Sequence, residues 1–216
     1  MHIEPGFVAP AKVVAANVVA APLVGYYALR MVRQPWMIAK MILAAVFFSL
    51  FMESFHMPVG PSELHFVGAS AMYLTLGFVP TLVGFGVGLL LQGLLFEPQD
   101  LYHLAVNSLS LMVPLIAVHY SFGRALFDET AKRRLNWLTI VKLDAAYYAG
   151  VTCMVGFWLM IGEVETPFHA WLAFAGSYLF LVALEPVVTW LIVKGLKPLE
   201  ARPWVARLSS VGQLTV

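Results

Sequence analysis

Charge is scarce in this 216-residue sequence: Asp, Glu, Lys and Arg together make up 12% of it. Thirteen basic and twelve acidic residues leave a net charge of +1, and no block of Lys and Arg occurs. A nucleic-acid partner is therefore not expected, because binding the phosphate backbone needs a basic patch. Cysteine is almost absent. Cys153 stands alone inside an apolar stretch, which excludes an intramolecular disulfide and leaves the redox compartment open. No GxxxxGK[ST] loop is present, so the chain cannot hydrolyse ATP by the usual phosphate-loop chemistry. Neither GxSxG nor HExxH occurs. The start of the chain lacks a basic region followed by a short apolar core and a small-residue cleavage site, so no removable signal peptide is expected and Met1 should be retained.

What fills the sequence instead is apolar surface. Hydrophobic residues make up 61% of the chain and the mean hydropathy is +0.82, more than a soluble domain of this size can bury. A helix needs about 20 mostly apolar residues to cross a bilayer. The apolar runs predict an all-α integral membrane protein of about seven transmembrane helices, forming a single transmembrane domain over 1–216. The spans are expected at about 8–30, 35–54, 64–79, 80–96, 101–122, 138–161 and 168–193. The pair within 64–96 depends on a tight turn at Gly77-Phe-Val-Pro80. Loop charges agree with an odd number of spans: Arg30, Arg33 and Lys40, then Arg124, Lys132, Arg133 and Arg134, then Lys194, Lys197, Arg202 and Arg207 fall on one side only if the spans number seven. Lys and Arg accumulate on the cytoplasmic side, so the N-terminus is expected outside and the basic tail 194–216 inside. Gly84 and Gly88 form a GxxxG pair suited to close helix approach, within the chain or toward another subunit. Trp36, Trp137 and Trp171 read as interfacial anchors.

Chemistry is concentrated at the first residues. In Met1-His2-Ile3, a free α-amine, the amide nitrogen of His2 and its imidazole can close two fused chelate rings around one ion. Three nitrogens in a plane suit Ni(II) or Cu(II). A terminal His can equally be an ordinary exposed residue. Of the other histidines, the expected topology puts His56, His65, His103 and His169 near the outer face with His2, and His119 near the inner end of its span. His65 is distinguished by its setting, after Pro58-Val-Gly-Pro-Ser-Glu-Leu64 and before the small residues Gly68, Ala69, Ser70 and Ala71. A loop reaching this point can deliver a fourth nitrogen to an ion held by the N-terminal loop 1–7.

These segments resemble a family, the substrate-binding CbiM and NikM membrane subunits of energy-coupling-factor cobalt and nickel transporters. The resemblance lies in Met1-His2-Ile3 followed by Gly6-Phe7, in Pro61-Ser-Glu-Leu-His65-Phe-Val-Gly68-Ala69 through Leu76-Gly77, in Gln92-Gly-Leu-Leu-Phe96 with Asn107, and in Glu185-Pro-Val-Val-Thr189. It implies that the α-amine of Met1, the amide and imidazole of His2 and the imidazole of His65 bind Co2+ or Ni2+. Gln92 and Asn107 are implied as supporting residues that orient His65 or the N-terminal loop, the alternative being amides that satisfy buried backbone groups. The chain departs from the family pattern at Glu63-Leu64, at Glu97-Pro-Gln-Asp100 and at Ser110. The resemblance further implies an uptake subunit without a cofactor of its own. Its partners would be a membrane scaffold (the T component), two cytoplasmic ATPases and, in many systems, a small accessory membrane subunit. Alternatives from the residues alone are a metal permease or sensor working by itself, and an intramembrane protease built on Ser62, Ser70, Ser108 or Ser110 with a histidine.

Overall fold

A computed structural model describes residue 3 and residues 6–59, 62–131, 133–160 and 166–216. The chain is a helical bundle with one small hairpin. Its elements are α1 (Pro10–Met31), α2 (Pro35–Ser54), β1 (His56–Val59), β2 (Ser62–His65), α3 (Ala69–Leu76), α4 (Phe78–Leu95), α5 (Leu104–Ser121), α6 (Trp137–Met160), α7 (Phe168–Leu196) and α8 (Pro203–Leu208). A 3-10 turn over Pro98–His103 leads into α5. Among the described residues, six helical segments are long and apolar enough to cross a membrane: α1, α2, α4, Pro98–Ser121, α6 and the segment beginning at Phe168. Their outward faces are apolar, with Leu29 74% and Leu179 72% exposed, as expected where lipid replaces water as the solvent.

The departure from the expected spans falls at 64–79. A single helix there is replaced by β2, an extended stretch and the eight-residue α3. The apolar run hides two non-local features that forbid a helix. Phe66 N–H donates to Phe55 C=O, holding the backbone against the end of α2. Gly68 then takes φ +66°, a left-handed conformation that ends the extended stretch, and a Cβ there would stand 2.4 Å from the Phe51 ring. Extended stretch and α3 together still run from one end of the bundle to the other. Phe66 lies at the C-terminal end of α2, whereas Thr75 C=O accepts from Ser210 N–H and Ser209 Oγ, and Ser210 Oγ accepts from Lys40 near the N-terminal end of α2. The expected turn is placed at Gly77, with φ +92°, while Pro80 already belongs to α4.

The closest helix pair is α2 with α4, and the GxxxG glycines lie inside this bundle. A Cβ on Gly84 would come 2.5 Å from Ala44 Cβ, and one on Gly88 would come 2.5 Å from the Phe48 ring. Gly84→Val is accordingly expected to destabilise the bundle by about 1–3 kcal/mol through overpacking. Thermal unfolding of the purified variant checks this, with Gly176→Val, which has open space around it, as the neutral control. Lys12 shows how a cation near the membrane is used: its ammonium donates to the carbonyls of Phe157 (3.1 Å) and Trp158 (2.7 Å) in the last turn of α6, where the helix presents its negative end.

Candidate functional site

The end of the bundle that carries the hairpin also gathers the candidate residues. The hairpin pairs His56 with His65, Met57 with Leu64, Pro58 with Glu63 and Val59 with Ser62. Across it the two imidazoles lie with ring centroids 6.1 Å apart. His65 is 5% exposed. Its Nε2 stands 2.9 Å from Glu63 Oε2, while Nδ1 lies 3.4 Å from Met52 C=O. The second contact is too long to be a strong hydrogen bond. Among the described residues Glu63 is thus a tight partner of the ring, and it is one of the residues at which the chain departs from the family pattern.

Ile3 is fully buried and fastened on three sides. It forms an antiparallel bridge with Ser62, its N–H donates to Asn107 Oδ1 at 3.2 Å, and its C=O faces His103 Nδ1 at 2.8 Å. The third contact makes Nδ1 the protonated nitrogen of His103, leaving a buried Nε2 without a partner among the described residues. Asn107 thus holds Ile3 directly. Gln92 does something else: its Nε2 reaches Ser49 C=O at 3.4 Å, and its Oε1 has no partner among the described residues, so no contact to His65 or Ile3 is made there. Met1 and His2, the remaining candidates, lie outside the described residues.

Acidic groups surround this end. Burial, then the neighbouring Asp100, Glu63 and Glu53, push the Glu97 carboxyl up to about 7. Four carboxylates close enough to disturb one another create a negative potential that draws cations toward the mouth. Among the described residues no cluster of three or more His, Cys, Asp or Glu side chains with metal-binding geometry is assembled. His119 is remote from the others, bonded to Tyr73 Oη at 2.9 Å and stacked on Phe78. His103 entered the sequence reading only as one of several outer histidines. Its function as a clamp is set by a contact one hundred residues away, which no local pattern reveals.

A structure titled "Crystal Structure of an transition metal transporter" has the same fold, with a TM-score of 0.72 at 17% identity, covering 95% of this chain and 96% of that one. A second, "Crystal Structure of an Truncated Transition metal Transporter", gives a TM-score of 0.70 at 20% identity, covering 91% and 98%. A comparison with curated protein sequences finds no match. Residues 2–203 match the family described as the cobalt uptake substrate-specific transmembrane region. With nearly its whole length matched, this multi-pass membrane protein belongs to the CbiM family of transition-metal uptake components.

Proposed function

We propose that the chain is the ion-capturing membrane subunit of an ATP-driven uptake transporter for Co2+ or Ni2+. The ion would be held by the Met1 α-amine, the His2 amide and imidazole, and the His65 imidazole. The observation that carries this reading is the three-sided clamp on Ile3. His2 is joined directly to a residue whose backbone bridges Ser62, and Ser62 lies in the same strand as His65. Glu63 is placed to accept a hydrogen bond from His65 Nε2–H, which makes Nδ1 the nitrogen that would bind the ion and raises its basicity. The acidic groups at the mouth supply attraction without the nitrogen donors that select the ion. In this reading the N-terminus is outside and the C-terminal tail cytoplasmic. A membrane scaffold, two cytoplasmic ATPases and a small accessory membrane subunit would supply the power stroke that this chain cannot.

The chelate depends on register and on protonation, and both can be tested. Inserting one Ala between Met1 and His2 moves the imidazole out of the fused rings, and calorimetric titration should then find no Ni2+ or Co2+ binding. In the unaltered protein the amine, amide and imidazoles must all lose protons to bind. Affinity is accordingly expected to fall at least about 100-fold between about pH 8 and about pH 5.5. Undiminished affinity in the insertion variant, or a flat pH profile, would place the ion elsewhere.

A further inference from the structure

We propose that Asp144 and Glu185 form a second, separate cation site inside the bundle, holding one small monovalent ion, a proton or a sodium ion, with hydroxyls of Ser70, Tyr147 and Tyr178 around it. Both carboxylates are fully buried, on the two adjacent helices α6 and α7, and each lies within electrostatic reach of the other. They are not equivalent. Glu185 is well served: it accepts from Ser70 N–H at 3.2 Å, from the backbone at Gly68 and Ala69, and from the Tyr148 hydroxyl. It caps the start of α3 from a helix more than one hundred residues away. Asp144 has neither oxygen in a good hydrogen bond, though the Ser70 hydroxyl is beside it.

The buried hydroxyls of Tyr147 and Tyr178 are also unpartnered among the described residues, and both lie within electrostatic reach of the pair, Tyr147 of Glu185 and Asp144 and Tyr178 of Glu185. The groups that interact with the pair come from α3, α6 and α7; among the described residues they are carboxylates, hydroxyls and backbone, with no Lys, Arg or His. From α5, Leu115 and Val118 line the adjoining void, and His119 bonds the Tyr73 hydroxyl at its edge. Lys142, two residues before Asp144, is exposed on another face of α6.

Charge balance then demands a cation. The start of α3 offers about half a positive charge. Two carboxylates against it leave a net negative charge in a dry interior, which costs several kcal/mol per uncompensated ion. An ionisable residue within a membrane is retained at such a cost mainly for function. The donor set selects the ion: all-oxygen ligands suit a hard cation and not the nitrogen-preferring Ni2+. Space around the pair is small. The adjoining void, lined by Ser70, Tyr73 and Tyr147 together with Leu115 and Val118 of α5, borders neither carboxylate; at about 10 Å³ it has room for one water-sized occupant and none for a hydrated divalent ion.

The test uses the full chain, metal-free, in lipid nanodiscs. If the occupant is a proton, infrared spectra at about pH 8 contain the carbonyl stretch of a protonated carboxylic acid. This band is absent from Asp144→Asn and, in the unaltered protein, moves when aspartate or glutamate is labelled with carbon-13. If the occupant is sodium, NaCl raises the unfolding temperature of the unaltered protein relative to choline chloride, and Asp144→Asn loses the effect. The isotope-labelled spectrum and the sodium dependence are read on the unaltered chain, so the outcome does not depend on the variant folding. Finding neither signal, or finding a signal that survives Asp144→Asn, overturns the proposal. Nickel titration of the same samples reports on the N-terminal chelate independently.

Discussion

Replacing His65 by Ala is expected to lower Ni2+ or Co2+ affinity by at least about 100-fold, beyond the roughly 10- to 100-fold loss typical when only an outer-shell partner is removed. The reason is that His65 is the buried imidazole on the strand that also holds Ile3, so no neighbour can swing in to replace it. His56 provides the internal comparison. It lies opposite His65 in the hairpin but is exposed, and His56→Ala should leave affinity within a few fold of the parent. Glu63→Gln should fall between the two, at about tenfold, because the amide still occupies the space beside Nε2 but no longer raises the basicity of the ring. Equilibrium titration of all three proteins, with thermal unfolding as a check on integrity, decides the matter. The assignment of His65 fails if His56→Ala proves the more damaging change.

Loss of the Glu185 side chain should be the most destabilising single truncation in the bundle. Glu185→Ala strips the start of α3 of its acceptor, leaving backbone N–H groups at Gly68, Ala69 and Ser70 and the Tyr148 hydroxyl without a partner in a dry interior. Breaking a buried charged network from one side costs about 3–5 kcal/mol. Glu185→Gln keeps one carbonyl oxygen for the helix start and should cost less than half as much. Denaturant unfolding in detergent, followed by tryptophan fluorescence, gives both values. Equal losses for Ala and Gln would mean that the charge, and not the acceptor geometry, carries the effect.

The long helices were legible as apolar runs because a membrane span must satisfy its own backbone, so length and composition suffice to find it. The stretch 64–79 departs from a simple span for the complementary reason. Its backbone is satisfied from outside, by Phe55, Glu185, Ser209 and Ser210, none of them sequence neighbours. The candidate site divides in the same way. His65 and Asn107 stand out through family resemblance, and Asn107 does bond the backbone of Ile3. Gln92 drew notice equally, yet it reaches a carbonyl of α2 instead. Asp144 passed unnoticed as a single acid within an apolar run of α6. Its meaning comes only from Glu185 and the tyrosines that the fold brings beside it.

The short helix α3 has a mechanical consequence. Eight residues make a rod of about 12 Å, too short to bend. One end of it continues through Gly68 into the strand of His65, and the other is tied to Ser209 and Ser210 of the C-terminal segment. A displacement of that segment by anything that grips it would therefore act on a stiff strut that leads to the strand of His65 at the opposite end of the bundle.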